Sequence, residues 1–249
     1  MNKLSPIRLN YSLKILNINT MKPRLTQQAR ERKLHFKNNV SPQDGGTPAL
    51  NFVNTLKNRG SESPKDYLTN YEDFIYWCYQ ANLIDYEYYQ QLSLEGYCYE
   101  HEATVVFEQV ATTRFMLYEI FLSVIKGEPA DEIFVREFNS ALDKVSKYLR
   151  FESTTDGMRR IWVNIDEEIP APLCMVIQSA ADLLLMADVK KIKRCKTCRS
   201  MFFDKTKNGT RRWCNPSACK SLDKAKRYYH AKKGIKDEIT EMASTDMTR

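Results

Sequence analysis

Histidine and glycine are scarce in this chain, with three and eight in 249 residues, and each shortage excludes a kind of chemistry. His35, His101 and His230 stand far apart, so there is no His-Glu-x-x-His helix for a catalytic zinc, and no Gly-x-Ser-x-Gly elbow occurs. The glycines form neither a Gly-x-Gly-x-x-Gly run nor a Gly-Lys-Ser/Thr loop, which leaves no backbone cradle for phosphates. Long apolar runs are missing too: a membrane span needs about 18 residues. The best candidate, "APLCMVIQSAADLLLMADV", is interrupted by Gln178, Ser179 and Asp182. The first residues lack the compact apolar stretch and small-residue cleavage site of a secretory signal. Paired acids such as Asp131–Glu132 and Glu167–Glu168 read as solvated or helix-dipole charges. The expectation is therefore a non-enzymatic, cytoplasmic protein with no membrane partner. Its odd count of seven cysteines would stay reduced rather than form a disulfide framework.

Acid is nearly absent from one stretch, "RCKTCRSMFFDKTKNGTRRWCNPSACKSLDKAKRYYHAKK", Arg194 to Lys233. Residues 190–233 hold sixteen Lys/Arg against two acids, whereas residues 41–189 hold eleven against twenty-four. Residues 1–40 are basic again, nine against one. A basic surface for a polyanion joined to an acidic body gives this asymmetry, although a charge block can also be simple solvated surface.

The order of elements follows from punctuation and period. Residues 1–46 are read as a basic, poorly ordered arm in which Met21 is an alternative start, closed by the turn-rich "NNVSPQDGGTP". A helical domain is expected over 47–189, a zinc finger over 190–233 and a polar tail over 234–249. Helical spacing marks "ALNFVNTL", "YLTNYEDFIYWCYQANLI" with Asn70 as cap, and Asp85–Ser93. It also marks a long stripe through Val106, Val110, Phe115, Leu117, Phe121 and Ile125 that stops at Gly127, and "DEIFVREFNSALDKVSKYL". "YLRFEST" and "MRRIWVNI" flank "TDG" and read as a β-hairpin, and "PLCMVIQSAADLLLMAD" reads as a central helix. The fold class expected is mainly α (α+β), a helical domain with one small hairpin and a treble-clef-like or ribbon-like finger.

Cys195 and Cys198 are two residues apart, and Cys214 and Cys219 follow fifteen residues later with four between them. Two such pairs can close a tetrahedral shell around one structural Zn2+ and leave no open position for a catalytic water. The alternatives are a redox Cys-Lys-Thr-Cys pair, which lacks its usual βαβ setting, and four unrelated buried thiols. The local core, Met201, Phe202, Phe203 and Trp213, is poor enough that metal would replace burial. Cys78, Cys98 and Cys174 are read as packing residues.

"FFDKTKNGTRRWC" suggests a strand, a turn at Asn208–Gly209 and a second strand carrying Arg211 and Arg212. "CKSLDKAKRYYHAKK" suggests a helix with Lys220, Lys224 and Arg227 on one face, Lys226 beside them, and Leu222, Ala225 and Tyr229 turned inward. These six basic residues are candidate contacts to duplex DNA. An acidic protein partner is one competitor. RNA is another, with Tyr228 and Tyr229 as the only aromatic platform. Asn54 and Thr55, polar in an apolar stretch, are candidate effector ligands or else groups that satisfy nearby backbone.

At these residues the chain resembles the CGNR zinc finger family through "RCKTC", "FFD", "NGTRRWC" and the Lys-rich helix. Lys220, Ser221 and Leu222 stand where the family has Gly, Asn and Arg, so the zinc site carries over and that arginine contact does not. "ALNFVNTLKNRG" and the following "DYLTNYEDFIYWCYQANLI" resemble the start of the ABATE domain, matching at Phe52, Asn54, Thr55 and Trp77, with Asn51 in place of an Asp. The resemblance implies a stress-responsive transcription regulator with a DNA-binding finger. It further implies an N-terminal domain that senses a small effector or forms a homodimer.

Overall fold

The computed structural model describes residues 41–59, 62–163, 171–229 and 231–232. Residues 1–40 of the basic arm read over 1–46, residues 60–61 and 164–170, His230, and residues 233–249 with the polar tail lie outside them.

The helical domain starts where Thr47 caps α1 (Pro48–Val53), its side chain accepting from the Leu50 N–H with Pro48 at the first helical position. A two-residue ribbon, β1 (Leu56–Lys57) with β2 (Lys65–Asp66), leads to α2 (Tyr71–Gln80), capped by Asn70 as expected. Asp85 caps α3 (Tyr86–Cys98), which runs past Ser93, and α4 (Glu100–Lys126) begins after a break at Tyr99. Gly127 ends α4 in the left-handed region at φ 73°, donating to the Ser123 and Val124 carbonyls, a conformation that costs glycine little. Asp131 caps α5 (Glu132–Tyr148), which feeds directly into β3 (Leu149–Thr154). The Thr155–Asp156 turn returns the chain as β4 (Gly157–Trp162).

The apolar helix α6 (Ala171–Leu184) lies at the centre as its composition demands, with ten of its residues buried. Phe52, Phe74 and Trp77 meet it in the core as an aromatic cluster, with ring centroids 5.5–6.4 Å apart. The α4 stripe is buried at Val110, Leu117 and Phe121, but Phe115 is half exposed and rests edge-on against Phe134. Among the described residues no helix is long and apolar enough to cross a membrane.

Beyond α6 a 3-10 turn (Val189–Lys191) enters β5 (Ile192–Arg194), which pairs antiparallel with β6 (Met201–Phe203) around the first cysteine pair. This corrects the expected hairpin. The ladder partner of β6 is β5, and residues 210–213 form no strand. The turn near Gly209, at φ 56°, is where the sequence places it, but the chain after it is held by side chains rather than by a ladder.

Candidate metal centre and basic surface

Three short pieces of backbone aim four sulfurs at one point. Cys195 and Cys198 sit in the knuckle between β5 and β6, where Cys195 N–H donates to Ser200 O (2.8 Å) and Arg199 N–H to Cys195 O (3.1 Å). Arg199 completes the knuckle at φ 64°, a left-handed position usually given to glycine. Cys214 and Cys219 come from the entry to the last helix. There Asn215 accepts from the Ser217 and Ala218 N–H groups, and a π-helical turn (Pro216–Lys220) leads into helical residues 221–229. A knuckle joined to a helix start is the treble-clef-like of the two expected arrangements, because a ribbon would need a second hairpin for Cys214 and Cys219.

The four Sγ atoms all lie within 4.8 Å of one another. Cys198–Cys214, Cys214–Cys219 and Cys219–Cys198 are separated by 3.4, 3.6 and 3.7 Å. Zn–S bonds of about 2.3 Å in a tetrahedron put sulfurs about 3.8 Å apart, so these spacings fit four ligands on one ion. They are far longer than the ~2.0 Å of a disulfide. Protons alone do not suit such crowding. Cys195 is pulled down by hydrogen bonds from Cys198 and Cys214, while Cys214 is pushed up by its hydrogen bonds with Cys195 and Cys198. Cys219 is raised to about 12 by burial and by charge at Cys198. A divalent cation reverses this opposition by stabilising every thiolate at once. The four cysteines form a site for one structural Zn2+, which would cross-link the knuckle to the helix.

Among the described residues the core around the sulfurs is Phe202 and Trp213. Because side chains alternate along a strand, β6 turns Phe202 toward the metal while Met201 and Phe203 face the helical core. Met201 and Phe203 therefore belong to a different core from the one read in the sequence.

Asp204 organises the loop after β6. Its Oδ1 accepts from Thr206 N–H (3.0 Å) and Thr206 Oγ1 (2.6 Å), and its Oδ2 from Lys193 Nζ (2.8 Å) and Arg211 N–H (2.9 Å). Burial alone would raise this carboxyl, but the bonds from Lys193, Thr206 and Arg211 outweigh it and hold the group well below the usual carboxylate range. With the folded value depressed, its contribution to stability is complete above about pH 4 and is lost as pH falls through the folded value.

The six candidate nucleic-acid contacts divide. Arg211 points inward: its Nε donates to Trp213 O (2.8 Å), its Nη2 to Cys214 O, and its guanidinium lies 4.9 Å from the Phe202 ring. Arg212, Lys220, Lys224, Lys226 and Arg227 are exposed. Of the two acids of the segment, Asp204 is fully buried and Asp223 pairs with Arg227 at 3.1 Å, so they offset Arg227 and leave the charge of the other four in place. Leu222, Ala225 and Tyr229 do not turn inward as expected. They are exposed, as is Tyr228, because the finger offers only Phe202 and Trp213 to pack against.

Asn54 and Thr55 are buried and occupied by protein. Asn54 Nδ2 donates to Met201 O, and Met201 N–H donates to Asn54 Oδ1, both at 2.7 Å. Thr55 Oγ1 donates to Phe52 O (2.7 Å) and accepts from Arg114 (3.0 Å), whose guanidinium grips Asp66 through two 2.6 Å bonds. Asn51 Oδ1 accepts from Gly45 N–H (2.8 Å), and Gly45 O accepts from Phe203 N–H (2.9 Å). Of the pair read as a candidate effector site, Asn54 thus holds the finger to the helical domain, and Thr55 bonds within the helical domain. An open groove of about 640 Å3 between α4, α5 and α6, with Leu173 and Ile177 in its lining, includes neither residue. Arg114 and Asp66 were missed by sequence reasoning, and Asn51 was noted only as a departure from the ABATE signature. The available signal was an arginine inside the apolar α4 stripe.

The remaining cysteines are not alike. Cys78 and Cys174 are buried, and burial pushes both thiols up, Cys174 to about 12. Cys98, expected to pack, is exposed because it ends α3 facing solvent. In zinc-loaded protein, titration with a disulfide reagent is expected to modify one thiol rapidly, Cys98. Cys98→Ser should remove that phase, and stripping the metal should add four reactive thiols.

A helical domain clamped to a closed four-thiolate treble clef with a basic outer face defines a zinc-finger protein. Comparison with family models agrees in both halves. The ABATE model, described as "Putative stress-induced transcription regulator", matches residues 46–186, and the CGNR zinc finger matches residues 191–232. The chain belongs to the ABATE family and carries a CGNR zinc finger; neither is an enzyme family. No curated protein gives a significant match.

Proposed function

We propose that the protein is a transcription regulator that binds duplex DNA through its zinc finger. The observation that carries this reading is the outer surface of the finger, where Arg212, Lys220, Lys224, Lys226 and Arg227 are exposed and neither acid is left free. Such a surface suits phosphate contacts that release counterions, and a helix projecting from a metal-rigidified module is narrow enough for the major groove. The regulator role rests on the description of the ABATE family.

The test is selection from a randomised duplex pool by the zinc-loaded protein beside a metal-stripped sample. An enriched motif that disappears without zinc supports the reading. Retention of single strands over duplex would favour RNA, served by Tyr228 and Tyr229 at 71% and 70% exposure. No retention of any nucleic acid at low salt would favour an acidic protein partner.

The two arginines are expected to behave differently. Arg212→Ala should weaken binding and lower the salt slope by about one phosphate while the melting temperature stays unchanged. Arg211→Ala should lower the melting temperature of the finger, because it removes the clip on the Trp213 and Cys214 carbonyls. Equal slopes for Arg212→Ala and wild type would remove Arg212 from the interface.

A further inference from the structure

The β3–β4 hairpin leaves most of its pairing capacity unused. Its two strands pair only with each other among the described residues, and a two-stranded ribbon is marginal alone in water. Residues 150–154 of β3 are all exposed. Phe151 lies opposite Arg160, and Ser153 opposite Met158, so Phe151 (63% exposed) and Met158 (65% exposed) share one face. An open strand edge recruits further strands unless Lys, Pro or a bulge guards it. The strand Leu-Arg-Phe-Glu-Ser-Thr has no Lys or Pro, and its six pairs run without a bulge.

The register identifies the free backbone groups. A two-residue turn makes Thr154 and Gly157 a hydrogen-bonded pair, and Val163 N–H donates to Tyr148 O at 2.9 Å. Tyr148, Arg150, Glu152 and Thr154 therefore direct their N–H and C=O groups toward β4. Those of Leu149, Phe151 and Ser153 lie on the other side, where the Leu149 N–H donates to Ser146 O and its carbonyl accepts from Arg150, so Phe151 and Ser153 carry the open positions of the edge.

We propose that a second copy of this chain pairs antiparallel with the β3 edge, with a twofold axis beside Phe151, to give a four-stranded sheet across a homodimer. In that register Phe151 meets its own counterpart, and Leu149 of one protomer meets Ser153 of its partner. Arg150 of each protomer meets Glu152 of the other, so opposite charges face each other twice. An axis beside Leu149 or Ser153 opposes no Arg to a Glu, and one beside Arg150 or Glu152 sets like charges together. The β4 edge, centred on Arg160, offers no such pair. Within the chain the Arg150 guanidinium donates to the Ser146 and Leu149 carbonyls and Glu152 accepts from Arg159, all at exposed positions, so pairing across the axis exchanges or shares these contacts for an Arg150–Glu152 charge pair.

The measurement is sedimentation velocity of the zinc-loaded, full-length protein over a micromolar concentration range, without nucleic acid. Wild type should be dimeric. Phe151→Pro removes an outward N–H without touching the β4 ladder, and Arg150→Glu sets two acids opposite each other. Each should weaken the dimer at least tenfold with circular dichroism and melting temperature unchanged. Arg150→Glu with Glu152→Arg exchanges the charges across the axis and should recover the dimer. A monomeric wild type, or a dimer undiminished in both single variants, would overturn the proposal. Failure of the double variant to recover would overturn the Phe151 register.

Discussion

Removal of the zinc is expected to unfold residues 190–233 and to lower the melting temperature of the helical domain with them. The finger's own core is Phe202 and Trp213 around four sulfurs, too little apolar surface to hold some forty residues against their conformational entropy. Zinc binding in small four-ligand modules contributes about 10–16 kcal/mol, which makes up the shortfall. The helical domain feels the loss because Ile192 and Met201 are buried in its core and Asn54 bonds to the Met201 backbone. Loss of one thiolate removes roughly a quarter of that energy, about 3–4 kcal/mol, or a hundred- to thousandfold in affinity. Wild type should carry one equivalent of zinc by elemental analysis. The Cys195→Ser/Cys214→Ser double variant should carry none, with amide exchange in residues 192–229 no longer protected. Zinc retained at one equivalent in that variant would remove these two residues from the ligand set.

The metal centre was legible because its signal is local. Two cysteine pairs at fixed spacing within twenty-five residues can meet without knowledge of the rest of the chain, and the structure brings their sulfurs within 4.8 Å. Helix limits marked by a cap or a stop were legible for the same reason: Asn70 and Gly127 act where the sequence places them. What stayed hidden depends on partners distant in sequence. Asn-Gly followed by a Thr-Arg-Arg run looks like the second arm of a hairpin. The edge of β6 is instead taken by β5 on one side and by Gly45 and Asn54 on the other, so no ladder position is left for residues 210–213. Leu222 and Tyr229 have helical spacing, but spacing shows only that residues share a face and not that a core lies beneath it. Arg211 and Arg212 are adjacent and chemically identical. Only the fold separates the one that clips two carbonyls from the one that faces solvent.

Asn54→Ala is expected to destabilise the protein by about 2–5 kcal/mol, since it leaves both the N–H and the C=O of Met201 buried without a partner. For a chain of this size that corresponds to roughly 5–15 °C in melting temperature. Asparagine suits the place because its amide has the donor and the acceptor of a peptide bond. It extends the β5–β6 sheet by one pseudo-strand while its own backbone closes α1. Asn54→Asp keeps the acceptor for the Met201 N–H but loses the donor to Met201 O and buries a charge, so it should cost at least as much as alanine. The sulfurs are untouched in both variants, and zinc content should stay at one equivalent. That separation identifies the clasp: loss of melting temperature with zinc retained is the mark of an uncoupled finger. A melting temperature within 2 °C of wild type in Asn54→Ala would show that the bonds to Met201 contribute little, and would return Asn54 to the pool of residues free to meet a ligand. The expected result instead makes the Asn54-Thr55 dipeptide a mechanical joint. Asn54 grips the metal-bound hairpin while Thr55, through Arg114 and Asp66, ties the same point to α4 and β2. Any event that shifts α4 would then be felt at the β6 edge, one residue from the Phe202 side chain that packs against the metal-site cysteines.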